Sequence, residues 1–356
     1  MTNRKLSARR LALALLLMPC LAEAQEADAP DSTTTTVFFA TNRERVAVDE
    51  PQVVQFGGQR GSPHFGTCEA EFQPIPILED VAAKVPFYVP KETAELRIDE
   101  EEDPEVFWDE VSSERESTSA GGIVVFVHGY SYDFKRGCRR AVEIQRALEG
   151  EATVLMLSWP SNGDATDYAP DVADLEWSVP FLAETLEQLS DRFGSENVHV
   201  LSHSLGARGM TMTLESLEES SADRPVIGRW VLLAPDIDSE VFVGLLPRLE
   251  PMAESITLYA SSNDTPLKVS RRLNGSPRLG QAGELLTVAP GMETIDVSPA
   301  GRYQILGHEY FFFHPAVAAD LAELLTTGKG SAERSALRPQ SKNGLPYWEV
   351  IEESEP

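Results

Sequence analysis

From about residue 121 onward, short runs of apolar, often β-branched residues alternate with longer stretches of helical periodicity. No other feature constrains the fold as strongly. "GIVVFVHG" precedes "DFKRGCRRAVEIQRALEG", and "ATVLMLSWP" precedes a helix through "DVADLEWSVPFLAETLEQLSDRFG". "NVHVLSHS" precedes "LGARGMTMTLESLEES", and "VIGRWVLLAPDID" precedes "EVFVGLLPRLEPMA". "SITLYASSND" precedes "TPLKVSRRLN", and "METIDVS" precedes a last helix around "HPAVAADLAELLTTG". Strands that are apolar on both faces belong in a parallel sheet covered on both sides, so the pattern predicts six βα units and an α/β fold with a mostly parallel, doubly wound sheet. In such sheets ligands bind at the carboxyl ends of the strands, which is where chemistry is to be sought.

The flanks read differently. "MTNRKLSARR" is basic, "LALALLLMPCLA" is a short apolar run, and Ala22-Glu23-Ala24 fits a cleavage site, so residues 1–24 are expected to be an export signal and 25–33 a linker. The apolar run is too short to span a bilayer in the mature chain. A periplasmic or secreted product follows from this. "TTTTVFFATNR" (33–43) and "VPFYVP" (85–90) read as strands separated by a glycine-rich polar stretch, and an acidic segment near residues 99–121 carries a short helix around Phe107 and Trp108. Residues 34–120 are thus expected to pack on a main domain at 121–328, followed by an extended tail at 329–356 from which "LPYWEVI" docks back.

Charge narrows the partners. The chain has 30 basic and 57 acidic residues, a formal charge of −27. Loss of the signal removes Arg4, Lys5, Arg9, Arg10 and Glu23, which moves the charge to −30. Such a field repels nucleic acid and anionic lipid surfaces. Cys68 and Cys138 remain after signal removal, and an oxidising compartment would permit them to pair; spacing alone does not decide it. The oligomeric state is equally open.

The strand end at "LSHSLG" resembles a nucleophile elbow with serine in place of the first glycine. A nucleophile in a strand-to-helix turn needs small residues two places before and after it. Ser204 has Ser202 and Gly206 there, whereas Ser202 would have Val200 and Ser204. The frame selects Ser204, with Ser202 a stand-in for glycine. "VVFVHGY" ends the first strand of the series in His128-Gly129-Tyr130, an arrangement that shapes an oxyanion site in acyl-transfer enzymes. The N–H groups of Tyr130 and Leu205 are its candidate donors.

A serine nucleophile needs a base and an orienting carboxylate. His308, in "ILGHEYFFFHP", stands in the loop expected after the last strand, while His314 precedes Pro315 at a helix start. Chain order favours Asp264 as the acid, with Asp236 and Asp238 as alternatives. Asp264 equally suits an N-cap for "TPLKVSRR". Trp159 and Tyr168 are candidate pocket walls. This chemistry calls for no metal and no organic cofactor.

"VFFATNR", "VFVHGYSYDF", "LSWPSNGDATDYAPD", "LSHSLGAR", "LLAPDID", "YASSNDTPLKVSR" and "LGHEYF" form an ordered set across about residues 37–327. In this the chain resembles bacterial α/β-hydrolases grouped as esterase/lipase-like proteins of unknown specific function. A small-molecule or lipid-like ester is the expected partner of such a serine site, and the resemblance implies an α/β-hydrolase fold and serine hydrolysis. It supplies no substrate. A thioesterase or peptidase would use the same residues, and a non-catalytic envelope protein that binds a partner through the same surface is the alternative from another class.

Overall fold

Three strands whose residues are all buried form the centre of the sheet. They are β4 (Gly122–Val127), β5 (Ala152–Ser158) and β6 (Val198–His203). The computed structural model describes residues 34–47, 53–75, 92–119, 122–218, 224–301 and 306–351. The expected export signal, the linker and the strand at 85–90 lie outside them. The remaining strands are β1 (Thr34–Arg45), β2 (Phe56–Pro74), β3 (Glu92–Glu101), β7 (Ile227–Leu233), β8 (Ala253–Ala260), β9 (Glu293–Asp296), β10 (Leu337–Lys342) and β11 (Leu345–Val350). The described residues place all of these in one sheet, in the order β10-β11-β9-β8-β7-β6-β4-β5-β1-β2-β3. Every pairing from β11 through to β1 is parallel; β1–β2, β2–β3 and β10–β11 are antiparallel.

Alternate residues of β4 feed two cores, as the period-2 geometry of a strand requires. Ile123, Val125 and Val127 face the layer of helices α1 (Pro104–Ser117), α3 (Tyr168–Phe193), α4 (Leu205–Leu217) and α5 (Ser239–Leu249). Val124 and Phe126 face α2 (Phe134–Ala147) and α7 (Pro315–Thr327). Helix α2 shows why such elements form. Asp133 caps it by accepting from the Arg136 N–H at 2.7 Å, and Phe134, Cys138, Ala141 and Val142 repeat at helical spacing on its buried face. A further helix, α6 (Thr265–Asn274), buries only Leu267 and Ser270.

Two parts depart from the sequence expectation. The polar stretch after β1 forms β2, a 19-residue strand paired on both sides, whose mixed polar composition suits an antiparallel pair rather than a buried parallel one. The tail is a hairpin as well: β10 and β11 pair across Asn343-Gly344, both in the left-handed region (φ 55° and 83°), and β11 joins β9 in parallel. Arg334 anchors it, donating to Asp320 Oδ2 of α7 and to the Tyr259 hydroxyl of β8, each at 2.9 Å. Cys68 of β2 and Cys138 of α2 form a disulfide with Cα atoms 6.0 Å apart, joining the N-terminal strands to a helix of the βα series.

Candidate active site

β6 stops at Ser204 because the backbone turns there into a conformation no strand can hold: φ is 52° and ψ −120°. A non-glycine residue at positive φ persists only where its surroundings over-determine it. The Ser204 N–H donates to Leu233 O at 3.0 Å, and the Asp236 N–H donates to Ser204 O at 3.1 Å, so the end of β7 grips the turn. Ser202 is occupied elsewhere. Its hydroxyl accepts the Trp230 indole N–H at 2.9 Å and donates to Val231 O at 3.3 Å. Small size matters on both sides of the turn: a Cβ at Gly206 would lie 2.3 Å from His128 O, and one at Gly129 would lie 2.9 Å from Ser204 Cβ. The loop after β4 therefore rests directly on the serine turn. Neither the Tyr130 N–H nor the Leu205 N–H meets a backbone acceptor among the described residues. Leu205 also opens α4, whose dipole favours an anion at that end.

His308 and Asp264 converge on Ser204 from the other side. Ser204 Oγ lies 2.9 Å from His308 Nε2, and His308 Nδ1 lies 2.6 Å from Asp264 Oδ2. With the proton on Nδ1, the imidazole donates to the carboxylate and accepts from the serine. Asp264 is also the N-cap of α6, its Oδ1 accepting the Leu267 N–H at 2.9 Å. One carboxylate thus serves both purposes, an oxygen for each. Burial pulls the His308 pKa down, but the Asp264 carboxylate and its hydrogen bond outweigh it, and the net displacement is upward. His314, by contrast, heads α7.

The alternative acids go to other work. Asp238 caps α5, accepting the Glu240 and Val241 N–H groups. Asp236 accepts the Tyr168 hydroxyl at 2.9 Å and the Ser270 hydroxyl at 2.5 Å, tying α3 to α6. Tyr168 packs edge-to-face on Tyr130, with ring centroids 5.4 Å apart, and both rings are partly exposed beside the serine turn. Trp159 does not line a pocket. It is fully buried, its indole N–H donates to His128 O at 2.9 Å, and its ring stacks on the His128 imidazole. A residue that large is more useful as a floor than as a wall.

Two supporting residues escaped sequence reasoning. Arg43 lies between two register shifts of β1 against β2, on the same strand face as the buried Phe39 and Thr41. Its guanidinium is wholly buried and donates to Ser158 Oγ (2.8 Å), Gly57 O (3.0 Å), Ser161 O (2.5 Å), Tyr132 O (2.9 Å) and His128 Nε2 (3.2 Å). It pins the loops after β4 and β5 together; burial pushes its pKa down to about 9. Burial and the Arg43 charge likewise hold the His128 pKa well below its ordinary value, which keeps that ring neutral.

Glu309, next to His308, is the second. It accepts from Arg140 Nη2 at 2.9 Å, Arg136 Nη2 at 3.1 Å and the Tyr132 hydroxyl, so α2 holds the histidine loop. Burial alone would raise this carboxyl, but Arg140 and Arg136 keep it well below the usual carboxylate range. His203 completes the surroundings, its ring 4.8 Å from that of His308; burial holds its pKa well below the ordinary value. No group of metal-ligating side chains occurs among the described residues, nor does a helix long and apolar enough to cross a membrane.

Among solved structures, the ydeN gene product of B. subtilis is similar at 18% identity and a TM-score of 0.36, over 58% of this chain and 99% of that one. The esterase domain of a Rhodothermus marinus protein is similar at 12% identity and a TM-score of 0.34, over 83% and 97%. EstE1, a carboxylesterase cloned from a metagenomic library, is similar at 14% identity and a TM-score of 0.32, over 58% and 78%. At these values the likenesses carry no argument about activity. No curated protein matches the chain. The family described as "Alpha/beta hydrolase of unknown function (DUF900)" matches residues 104–327, the segment holding Ser204, Asp264 and His308. With most of its length matched, the chain belongs to this α/β-hydrolase family.

Proposed function

We propose that the protein is an exported serine hydrolase that cleaves carboxylic esters through an acyl-enzyme. The observation that carries this reading is the unbroken contact chain from Ser204 Oγ to His308 Nε2 and from His308 Nδ1 to Asp264 Oδ2. Ser204 Oγ attacks the ester carbonyl carbon while its proton passes to His308 Nε2. The carbonyl electron pair moves onto oxygen, where the Tyr130 and Leu205 N–H groups receive it. Donors of this kind are worth roughly 3–4 kcal/mol each in related chemistry. Collapse expels the alkoxide, which takes the proton from His308. Water then repeats the sequence on the acyl-serine and frees the acid. Asp264 holds the Nδ1 tautomer and stabilises the transient imidazolium. Export is supported by the basic, apolar and Ala-x-Ala sequence of residues 1–24 together with the Cys68–Cys138 disulfide.

Labelling with a fluorophosphonate, followed by peptide mapping, tests the assignment. The adduct is expected on Ser204, and Ser204→Ala should abolish both labelling and turnover of a short p-nitrophenyl ester. A folded wild-type protein that neither labels nor turns over such an ester would favour a non-catalytic binding role.

A further inference from the structure

Helix α6 begins directly after Asp264 and yet packs on little. Successive helical residues turn by about 100°, so Leu267 and Ser270 share the inward side, while Lys268, Val269, Arg272 and Leu273 share the outward one. Leu273 is 72% exposed and Val269 47%. Leu306, 54% exposed, sits at the start of the helix and accepts the Thr265 N–H at 3.0 Å; it precedes His308 by two residues. Exposed apolar side chains thus run along the outward face of α6, and Leu306 adds another beside the His308 loop. Beside them lie Lys268, Arg271 and Arg272, all exposed and none in an ion pair among the described residues.

The local charge is opposite to that of the molecule. The chain has 57 acidic residues to 30 basic ones, yet α6 has three cations in ten residues and no carboxylate. At physiological ionic strength, charges beyond about 8 Å are largely screened, so a surface touching α6 meets the helix and not the net charge. A basic stripe beside an apolar one matches the boundary between anionic headgroups and acyl chains. We infer that the outward face of α6, with Leu306, docks on an anionic lipid surface and brings the Ser204 site to esters held in that surface. The second half of this inference rests on the hydrolase reading above; the docking itself does not.

The test uses Ser204→Ala protein, so that no lipid is consumed. It is sedimented with vesicles of phosphatidylcholine alone and with vesicles containing equal phosphatidylglycerol. Co-sedimentation is expected with the mixed vesicles only and should be reversed by salt. Lys268→Gln/Arg271→Gln/Arg272→Gln should weaken it roughly 100-fold, from the ordinary contribution of basic residues at such a surface. Leu273→Ser should weaken it about tenfold. The same changes in protein retaining Ser204 should leave hydrolysis of soluble p-nitrophenyl acetate unaltered. Equal sedimentation with neutral vesicles, none with either kind, or an unaffected triple variant would overturn the inference. Sedimentation as expected from a protein whose Ser204 form hydrolyses nothing would sink the hydrolase reading and leave docking standing.

Discussion

A single carboxylate at Asp264 answers to two elements, which makes its substitution informative. Only a neutral imidazole can take the serine proton. Because the Asp264 charge raises the His308 pKa against the pull of burial, the acid limb of the pH–rate profile is expected above the ordinary histidine value of 6.5. In Asp264→Asn the largest raising influence goes while the burial stays, with Glu309 and Asp236 left to oppose it, so the limb should move downward, with kcat lowered on the order of 10³–10⁴-fold. A profile measured on both forms that shows no such downward move would refute the pairing. The positions of Ser204, Asp264 and His308 could be read from the sequence because each is tied to a strand end or to small flanking residues. Glu309 and Arg43 could not. Glu309's partners Arg136 and Arg140 lie about 170 residues earlier, and Arg43's partners Tyr132, Ser158 and Ser161 are likewise remote in the chain, so neither set leaves a mark on a residue pattern. Trp159 was misjudged for a related reason, since an aromatic near a strand end can lie under a loop as easily as beside a substrate.

At the scale of elements, the βα series was legible because β4, β5 and β6 are buried on both faces and so largely apolar. β2 was not, because an antiparallel strand tolerates the polar residues that elsewhere signal a loop. The C-terminal hairpin did leave a signal: Asn343-Gly344 between alternating residues is a hairpin pattern. What hides the rest is that the anchor, Arg334 on Asp320, is a tertiary contact. The loops after β4 and β5 share one support in Arg43, and this can be tested. Arg43→Ala leaves the buried carbonyls of Ser161 and Tyr132, and the half-buried one of Gly57, without their donor, at about 1–3 kcal/mol for each buried acceptor left unsatisfied. Chemical unfolding should show a loss of at least about 3 kcal/mol, and esterase turnover should fall with it because the loop carrying Tyr130 loses its brace. A loss below about 1 kcal/mol would show that the guanidinium braces nothing.

For the whole molecule, the disulfide closes a loop between positions 70 residues apart. Restricting the unfolded chain over that span is worth about 4 kcal/mol by loop-closure entropy. Cys68→Ser/Cys138→Ser should lose stability of that order in denaturant titration, and wild-type protein under reducing conditions should match it; an unchanged midpoint in both would rule this out. The edges of the sheet carry a different consequence. A row of parallel, largely apolar strands invites further strands to add, and among the described residues β3 and β10 stand at its two margins. β3 meets any newcomer with Glu92, Glu95, Asp99, Glu100 and Glu101, and β10 does so with Arg338, Lys342 and Pro339, which has no N–H to offer. The two antiparallel additions thus oppose edge-to-edge pairing between copies, and replacing those charges is expected to put solubility at risk long before chemistry.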